Sequence, residues 1–240
     1  AEDGIRDDLV TGVQTCALPI SVLSPIVPGV VGHLLSASII NIIGAVYLSR
    51  LLMPGNPETS LELPPTLDLK YESLMDAISR GTQDGLNLAL QIGAMLLVLN
   101  ALVALVNILL GQIDLFGNPL SLELIMGWIF APIAFVIGIP WSEAVSAGGI
   151  LGTKLILNEF IGYLQMVAMG DALSDRTQLI LTYALCSFAN LGSLGILVGG
   201  LGVLVPERRG EILSAAPKSI LSGTLVTLMT ASLVALLSSL

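Results

Sequence analysis

Charged residues are scarce in this sequence: Asp, Glu, Lys and Arg together make up only 11% of its 240 residues. A soluble domain carries about 25% charged residues, so the composition argues against an ordinary water-soluble enzyme and against a disordered protein. The 9 basic residues are outnumbered by 18 acidic ones, which gives a net charge of −9. Because nucleic-acid binding relies on a basic surface, we expect no nucleic-acid partner.

Residues on which many catalytic and metal sites depend are also rare. The two cysteines, Cys16 and Cys186, give no disulfide framework, and His33, the single histidine, cannot build a histidine metal site alone. No Ser/His/Asp set, paired metal ligands or nucleotide motif stands out. An intramembrane hydrolase stays open as an alternative, but it lacks a nucleophile–base pair. We therefore predict that the protein is not an enzyme and uses no cofactor.

Long aliphatic runs are abundant instead. Hydrophobic residues make up 54% of the sequence, and their concentration in runs of about 20 residues predicts several transmembrane helices. Pro25 and Pro28 are expected to break the first turns of the opening run. The predicted elements are a span at 30–52, a loop plus an interfacial amphipathic helix at 54–84, a span at 86–110, a hairpin at 122–169, a broken helix at 178–205 and a last span at 219–240.

The segment 122–169 admits two topologies. A re-entrant hairpin and two full spans both agree with the distribution of basic residues in the flanking loops. We favour the hairpin because its first arm is short and is interrupted at Pro140-Trp141. The predicted fold class is therefore an all-α membrane protein in which transmembrane helices, a re-entrant helical hairpin and broken helices form half of an inverted-repeat transporter core.

The first twenty residues do not match the rest of the chain. Their first half is polar and acidic, so they lack the basic start and apolar core of a secretory signal. They resemble the translated read-through of a sequencing adapter. We expect residues 1–20 to be a non-native leader and the biological sequence to begin near Ile20 or Ser21.

Glu159 is the first candidate functional residue. A charged side chain at the centre of a membrane helix costs about 2.5–3.5 kcal/mol on insertion scales, so Glu159 needs a partner. Lys154 lies five positions earlier, which is about 140° around an ideal helix, and it is not a simple one-turn partner. We expect another element or a ligand to meet the carboxylate. The alternative is a structural Glu that neighbouring helices or water satisfy.

The segment around residues 186–195 is the second candidate. Cys186, Asn190 and Ser193 share one helical face, and Gly192 and Gly195 weaken the helix so that it can unwind. Freed backbone groups together with the Asn and Ser side chains would suit a hydroxylated ligand. Packing between helices explains the same residues equally well, because Gly, Ser and Asn are common at helix interfaces in membranes.

Several stretches together resemble one known family. GWIFAPIAFVIGIPWSEA, GTKLILNEFIGY and ALCSFANLGSLGILVGGLGVLVPERRGEI resemble the C-terminal half of the concentrative nucleoside transporters. HLLSASIINIIGAVYLSRLLMP resembles an earlier broken helix of that family. The resemblance runs from Ser21 to Leu240, and the combination of Gly-x-Lys-x3-Asn-Glu-Phe with Phe-Ala-Asn-x2-Ser and Pro-Glu-Arg-Arg is highly specific.

The resemblance implies a substrate site and a mode of transport. Glu159 on the second hairpin and Asn190 and Ser193 on the later broken helix would bind the ribose hydroxyls, and Phe188 would line the pocket. The implied function is nucleoside uptake across the inner (plasma) membrane by an elevator-type homotrimer that a Na⁺ or H⁺ gradient drives. The alternatives are a secondary transporter of another small polar solute and an inactive membrane fragment.

The sequence departs from the family pattern in one large way. The family reads the nucleobase with a Gly-Gln-Ser/Thr-Glu tip on its first hairpin, and no such motif occurs here; Gly111-Gln112-Ile113-Asp114 does not match it. That hairpin also supplies part of the sodium site, even if Ser38 and its neighbours keep the other part. We therefore expect a fragment that holds the ribose half of the site, with base preference and the coupling ion left open.

Overall fold

The computed structural model of the chain is built almost entirely of α-helices over the residues that it describes, which are 17–54, 73–115, 118–194, 197 and 209–238. The helices are α1 (Ala17–Leu23), α2 (Val30–Leu52), α3 (Leu74–Leu110), α4 (Leu122–Val136), α5 (Trp141–Ile156), α6 (Glu159–Met169), α7 (Asp175–Leu185) and α8 (Arg209–Leu237). A two-residue antiparallel pair, β1 (Asp114–Leu115) with β2 (Asn118–Pro119), and a 3₁₀ turn at Gly170–Ala172 complete these elements. The predicted all-α class is confirmed.

Two of these helices, α2 and α8, are long and apolar enough to cross a membrane. Their 23 and 29 residues correspond to roughly 35 and 44 Å at the α-helical rise, more than the hydrocarbon thickness of about 30 Å. A helix with the bounds of the predicted span at 30–52 is present. The predicted break before it is also present, because α1 ends at Leu23 and the two prolines lie in the turn that precedes α2.

The helices α4 and α5 form a sharply bent pair. Their axes differ by 119° across the turn at 137–140, where Gly138 adopts a positive φ of 103° and Pro140 precedes the first residue of α5. With 15 and 16 residues, each arm extends only roughly 22–24 Å, too short to cross the bilayer alone. The bend and the short arms agree with the predicted hairpin.

Glycines bring α4 and α5 into close contact. A Cβ atom added at Gly148 would lie only 2.6 Å from the carbonyl oxygen of Gly127, and a Cβ at Gly127 would lie 2.8 Å from the carbonyl oxygen of Val145. Gly152 packs in the same way on the Met126 side chain. The glycines at 148–152 therefore serve the packing of α4 on α5.

The predicted division of the chain between residues 54 and 110 was wrong. A single 37-residue helix, α3, runs from Leu74 to Leu110 without a boundary near residue 85. Ser73 caps its start by accepting a hydrogen bond from the backbone N–H of Asp76 at 3.1 Å. No proline interrupts the 37 residues, so the helix continues through the charged first turns into the apolar part. Residues 55–72 lie outside the described part of the chain.

Two later boundaries also differ from the prediction. The second arm of the hairpin, predicted to reach residue 169, is broken at Leu157-Asn158, so that α5 and α6 are separate helices. The last helix begins at Arg209 rather than at residue 219. Its charged first turns, with Arg209, Glu211 and Lys218, are exposed, so they extend the apolar helix without burying charge.

The core lies between α2, α4, α5, α6, α7 and α8 and includes the start of the described chain. Leu34 of α2, Met166 of α6, Ile180 of α7 and Ala231 of α8 are all fully buried. Leu23 of α1 is buried with them, so α1 crosses the predicted junction near Ile20, while residues 1–16 lie outside the described residues.

Large apolar side chains cover the outer faces of the long helices. On α2 the exposed set is Val31, Leu35, Ile39, Ile42, Ile43, Val46, Tyr47 and Leu51. Water does not favour such a continuous apolar surface, whereas the hydrocarbon of a bilayer does. The chain is therefore a membrane protein.

Candidate functional site

The site is built around an interruption that follows α7. The helix ends at Leu185, the chain is non-helical from Cys186 to Asn190, and residues 191–194 are helical again. The predicted break within 178–205 is thus confirmed in its described part. Residues 198–205 lie outside the described part of the chain.

Side chains of other helices donate hydrogen bonds to the carbonyl groups at the end of α7. A helix end leaves its last four carbonyl oxygens without helical partners. Here Tyr163 Oη donates to the carbonyl of Thr182 at 2.9 Å, and Lys154 Nζ donates to that of Ala184 at 3.1 Å. The Asn41 side-chain amide donates to the carbonyl of Cys186 at 2.8 Å. The interruption is therefore held by α6, α5 and α2.

Glu159 lies at the first residue of α6, directly after the Leu157-Asn158 break. The Asn158 side chain caps this helix by accepting from the backbone N–H of Ile161 at 2.9 Å. The helix N-terminus favours a carboxylate through its dipole, and Glu159 is only 2% exposed. The Asn190 side-chain amide donates to Glu159 Oε2 at 3.3 Å. A side chain from another element, Asn190, therefore bonds to the carboxylate, as we expected.

Asn190 and Ser193 form the second part of the arrangement. Asn190 Oδ1 accepts from the backbone N–H of Ser193 at 2.8 Å and from its hydroxyl at 2.9 Å. This is the pattern of a helix N-cap, and it fixes the Asn190 amide so that its Nδ2 points to Glu159. Asn190 is 3% exposed, whereas Ser193 is half-buried. Three of the four residues predicted for the site thus lie along one hydrogen-bonded line.

Phe188 occupies the same non-helical stretch but differs in exposure. It lies between Ser187 and Ala189, both buried, while its own side chain is 38% exposed. It is therefore placed beside the Glu159–Asn190–Ser193 line with an accessible ring.

Sequence reasoning missed the roles of Lys154 and Asn41 in this site. Lys154 is 2% exposed and donates to three oxygens. Asn41 joins the interruption to α8, because its Oδ1 accepts from the Thr230 hydroxyl at 2.7 Å. The sequence does signal both residues, since each is strongly polar within an apolar run. It does not show their hydrogen-bond partners, which lie 30 to 189 positions away in the sequence.

His33, the single histidine, contacts Tyr183 of α7 from α2. Its Nδ1 lies 2.9 Å from the Tyr183 hydroxyl, and the two rings pack edge to face with centroids 5.7 Å apart. No group of three or more His, Cys, Asp or Glu side chains suited to a metal occurs among the described residues.

These groups can recognise a small polar molecule. A buried carboxylate and an amide, next to a hydroxyl on the following helix turn, combine hydrogen-bond acceptors and donors. Interrupted helices that converge on such groups within a membrane protein define a secondary transporter. The structure thus places the chain in the class of membrane transporters.

The comparison with known families gives the particular group. Residues 33–235 match the family described as "Na+ dependent nucleoside transporter C-terminus". The chain belongs to this family, the concentrative nucleoside transporters, as its sequence motifs predict. Its relatives are transporters, so the prediction that it is not an enzyme is confirmed.

Similar proteins occur in bacteria and mammals. The chain is 40% identical over 234 residues to "Nucleoside permease NupC" of Helicobacter pylori, a match that covers 92% of this chain and 56% of the permease. It is 30% identical over 230 residues to "Solute carrier family 28 member 3" of Homo sapiens, covering 86% of this chain and 33% of the carrier. The chain thus spans about half the length of the bacterial relatives that it matches.

Solved structures show the same fold. A CNTnw variant in an outward-facing state matches with a TM-score of 0.77 and 36% identity, covering 91% of this chain and 53% of that one. CNTnw in an inward-facing substrate-bound state matches with a TM-score of 0.73 and 37% identity, covering 86% and 50%. The helices, the bend and the interruption described above are therefore those of a transporter half.

Proposed function

We propose that this chain is the C-terminal, ribose-binding part of a nucleoside importer. The observation that carries the proposal is the hydrogen-bonded line from the buried Glu159 and Asn190 to Ser193, at the meeting point of two interrupted segments. A carboxylate at such depth is costly unless it is hydrogen-bonded. A solute with neighbouring hydroxyl groups supplies donors for the carboxylate and an acceptor for the amide.

The proposed roles follow from the chemistry of each group. Glu159 accepts the two ribose hydroxyl protons, because a carboxylate accepts several hydrogen bonds at once and charged acceptors make the stronger ones. Asn190 and Ser193 orient the sugar from the opposite side. Phe188 contributes an accessible ring to the wall of the pocket.

We further propose ion-coupled uptake across the inner membrane by a homotrimer with an elevator-type motion. The family description names Na⁺, and H⁺ is the alternative coupling ion. Structures of CNTnw are described as outward-facing, intermediate and inward-facing, which supports a cycle between two sides of the membrane. In this proposal the remainder of the ion site and the groups that read the base come from a first hairpin outside residues 21–240.

Uptake of paired substrates tests the role of Glu159. In the protein expressed from its complete natural gene, Glu159→Gln should lower uridine uptake about tenfold or more, since hydrogen bonds to charged groups contribute about 1.5–3 kcal/mol each. A 2′,3′-dideoxynucleoside, which lacks the hydroxyls, should lose less. Initial uptake rates of both radiolabelled substrates, normalised to the amount of protein in the membrane, measure the difference.

Glu143→Gln is the matched control. Glu143 lies in the first turn of α5 and bonds to Ser174, at the other end of that helix from the site, so its change should leave the ratio of the two uptake rates unaltered. Equal uptake of both substrates by the unmodified protein would contradict the ribose role. Competition by sugars or free bases, but not by nucleosides, would favour a transporter of another small polar solute.

A further inference from the structure

Lys154 occupies a fully formed binding site for an ammonium group. Its Nζ donates to the carbonyl of Ala184 at 3.1 Å, to the Ser187 hydroxyl at 2.9 Å and to the Thr227 hydroxyl at 3.2 Å. An ammonium group has three protons, so each one has an acceptor. The three oxygens belong to α7, to the non-helical stretch and to α8, and Lys154 itself belongs to α5.

The burial of this charge is expensive. Lys154 is 2% exposed, and a cation inside a membrane protein is retained when it pairs with other groups. The Lys154 charge and the Glu159 carboxylate attract each other. The cation therefore does more than fill space, because a methionine of similar length would pack there without the desolvation cost.

A short chain of contacts leads from Lys154 to the residue that bonds Glu159. The Ser187 hydroxyl accepts from Lys154 Nζ and also from the backbone N–H of Ala189 at 3.4 Å. Ala189 directly precedes Asn190, whose amide donates to Glu159. Because residues 186–190 are not helical, the contacts at Ser187 are among those that fix the backbone leading to Asn190.

We propose that Lys154 is a positioning residue for substrate binding, which holds the non-helical stretch on α8 so that Asn190 and Glu159 face the ribose together. Lys154 does not touch the substrate in this arrangement. The inference rests on the proposed function, and it adds a residue on which recognition of the sugar depends.

Steady-state uptake by the protein from its complete natural gene tests the inference. Lys154→Met should raise KM for uridine about tenfold or more, the factor that corresponds to one lost hydrogen bond to a charged group. The KM for the 2′,3′-dideoxy analogue should change much less. A purely structural role would instead lower the amount of folded protein and the maximal rate for both substrates, with both KM values unchanged.

A milder pair of variants keeps the test decisive if Lys154→Met does not fold. Thr227→Val removes one acceptor of the ammonium, and we expect a rise of a few-fold in KM for uridine. Thr224→Val is the matched control on the same helix, since the Thr224 hydroxyl is buried without a hydrogen-bond partner in the described structure. Equal KM values for these two variants would overturn the inference.

A double-mutant cycle separates the inference from the proposed function. If Lys154 acts through the Glu159 site, the KM effects of Lys154→Met and Glu159→Gln should combine to much less than their product. Fully multiplicative effects would show that Lys154 acts elsewhere. A failure of Glu159→Gln to alter uridine uptake at all would refute the proposed function itself, whatever Lys154 does.

Discussion

At the scale of single residues, buried side chains replace the hydrogen bonds that α7 gives up. Asn41 does so with its amide, which donates to the carbonyl of Cys186, while its oxygen accepts from the Thr230 hydroxyl of α8. Asn41 is 7% exposed, and an unsatisfied polar group at such a position is costly. One residue of α2 thereby fixes both the interruption and the last helix.

Asn41→Leu should destabilise the protein. The change removes the amide that bonds to the Cys186 carbonyl, which costs about 1–3 kcal/mol, whereas the Thr230 hydroxyl keeps its hydrogen bond to the Val226 carbonyl at 3.0 Å. Thermal unfolding of the purified protein in detergent measures the loss. Ser49→Ala on the same helix is the control, because the Ser49 hydroxyl bonds to the carbonyl of Val46 within α2. A loss no larger than that of the control would contradict the role of Asn41.

Sequence patterns identified the polar residues of the site but not all of their partners. Glu159, Asn190 and Ser193 are conspicuous because they interrupt apolar runs. One partner of Glu159 lies 31 positions away, and one partner of Lys154 lies 73 positions away. Helical spacing relates only residues a few positions apart, so these pairs depend on packing that the periodicity does not record.

At the scale of helices and turns, the close contact of α4 and α5 depends on the absence of side chains. Backbone atoms rather than flexible side chains surround the space that a Cβ at Gly148 would enter. Backbone cannot move aside without separating the two helices. Even the single methyl group of an alanine at position 148 should therefore disturb the packing of the hairpin.

Gly148→Ala should separate α4 from α5 and destabilise the protein by about 1–3 kcal/mol, the usual cost of overpacking. Gly32→Ala on α2 is the control, because nothing lies within 4 Å of the added Cβ. In this first turn of α2 Ala should stabilise slightly, by at most about 0.5–1 kcal/mol. Detergent unfolding curves of the two variants should shift in opposite directions, and parallel shifts would refute the packing argument.

Element boundaries followed from the sequence where strong local signals exist. The helix α2 has the predicted limits because prolines stand on both sides of a mostly apolar run. The break before α6 was missed because the apolar character continues on both sides of it. Its only local signal is Asn158, a preferred N-cap residue followed by Glu159, and such a signal is weak beside hydrophobicity.

At the scale of the whole molecule, polar contacts join the helix ends on one side. Glu143 accepts from the backbone N–H and the hydroxyl of Ser174, both at 3.1 Å, at the start of α7. Arg176 donates to the carbonyl of Ala235 at 2.9 Å and to the Ser238 hydroxyl at 3.2 Å, at the end of α8. The hairpin turn, α7 and α8 are thereby linked as one unit.

The 240-residue chain by itself should enter membranes without transporting nucleosides. The family motif that reads the base is absent from it, and the chain spans about half the length of its bacterial relatives. After expression, the chain should resist extraction by alkaline carbonate, and vesicles that contain it should take up no more uridine than empty vesicles. Saturable uridine uptake by these vesicles would contradict the prediction.

The interruption after α7 has a consequence for biosynthesis. Three side chains donate hydrogen bonds to its carbonyl groups, and all three precede those carbonyls in the chain: Asn41, Lys154 and Tyr163. A ribosome therefore makes every donor before the acceptors leave its tunnel. The non-helical backbone can therefore bind these three side chains as soon as it is made, whereas the contacts of Lys154 with Thr227 and of Asn41 with Thr230 form only after the final helix is synthesised.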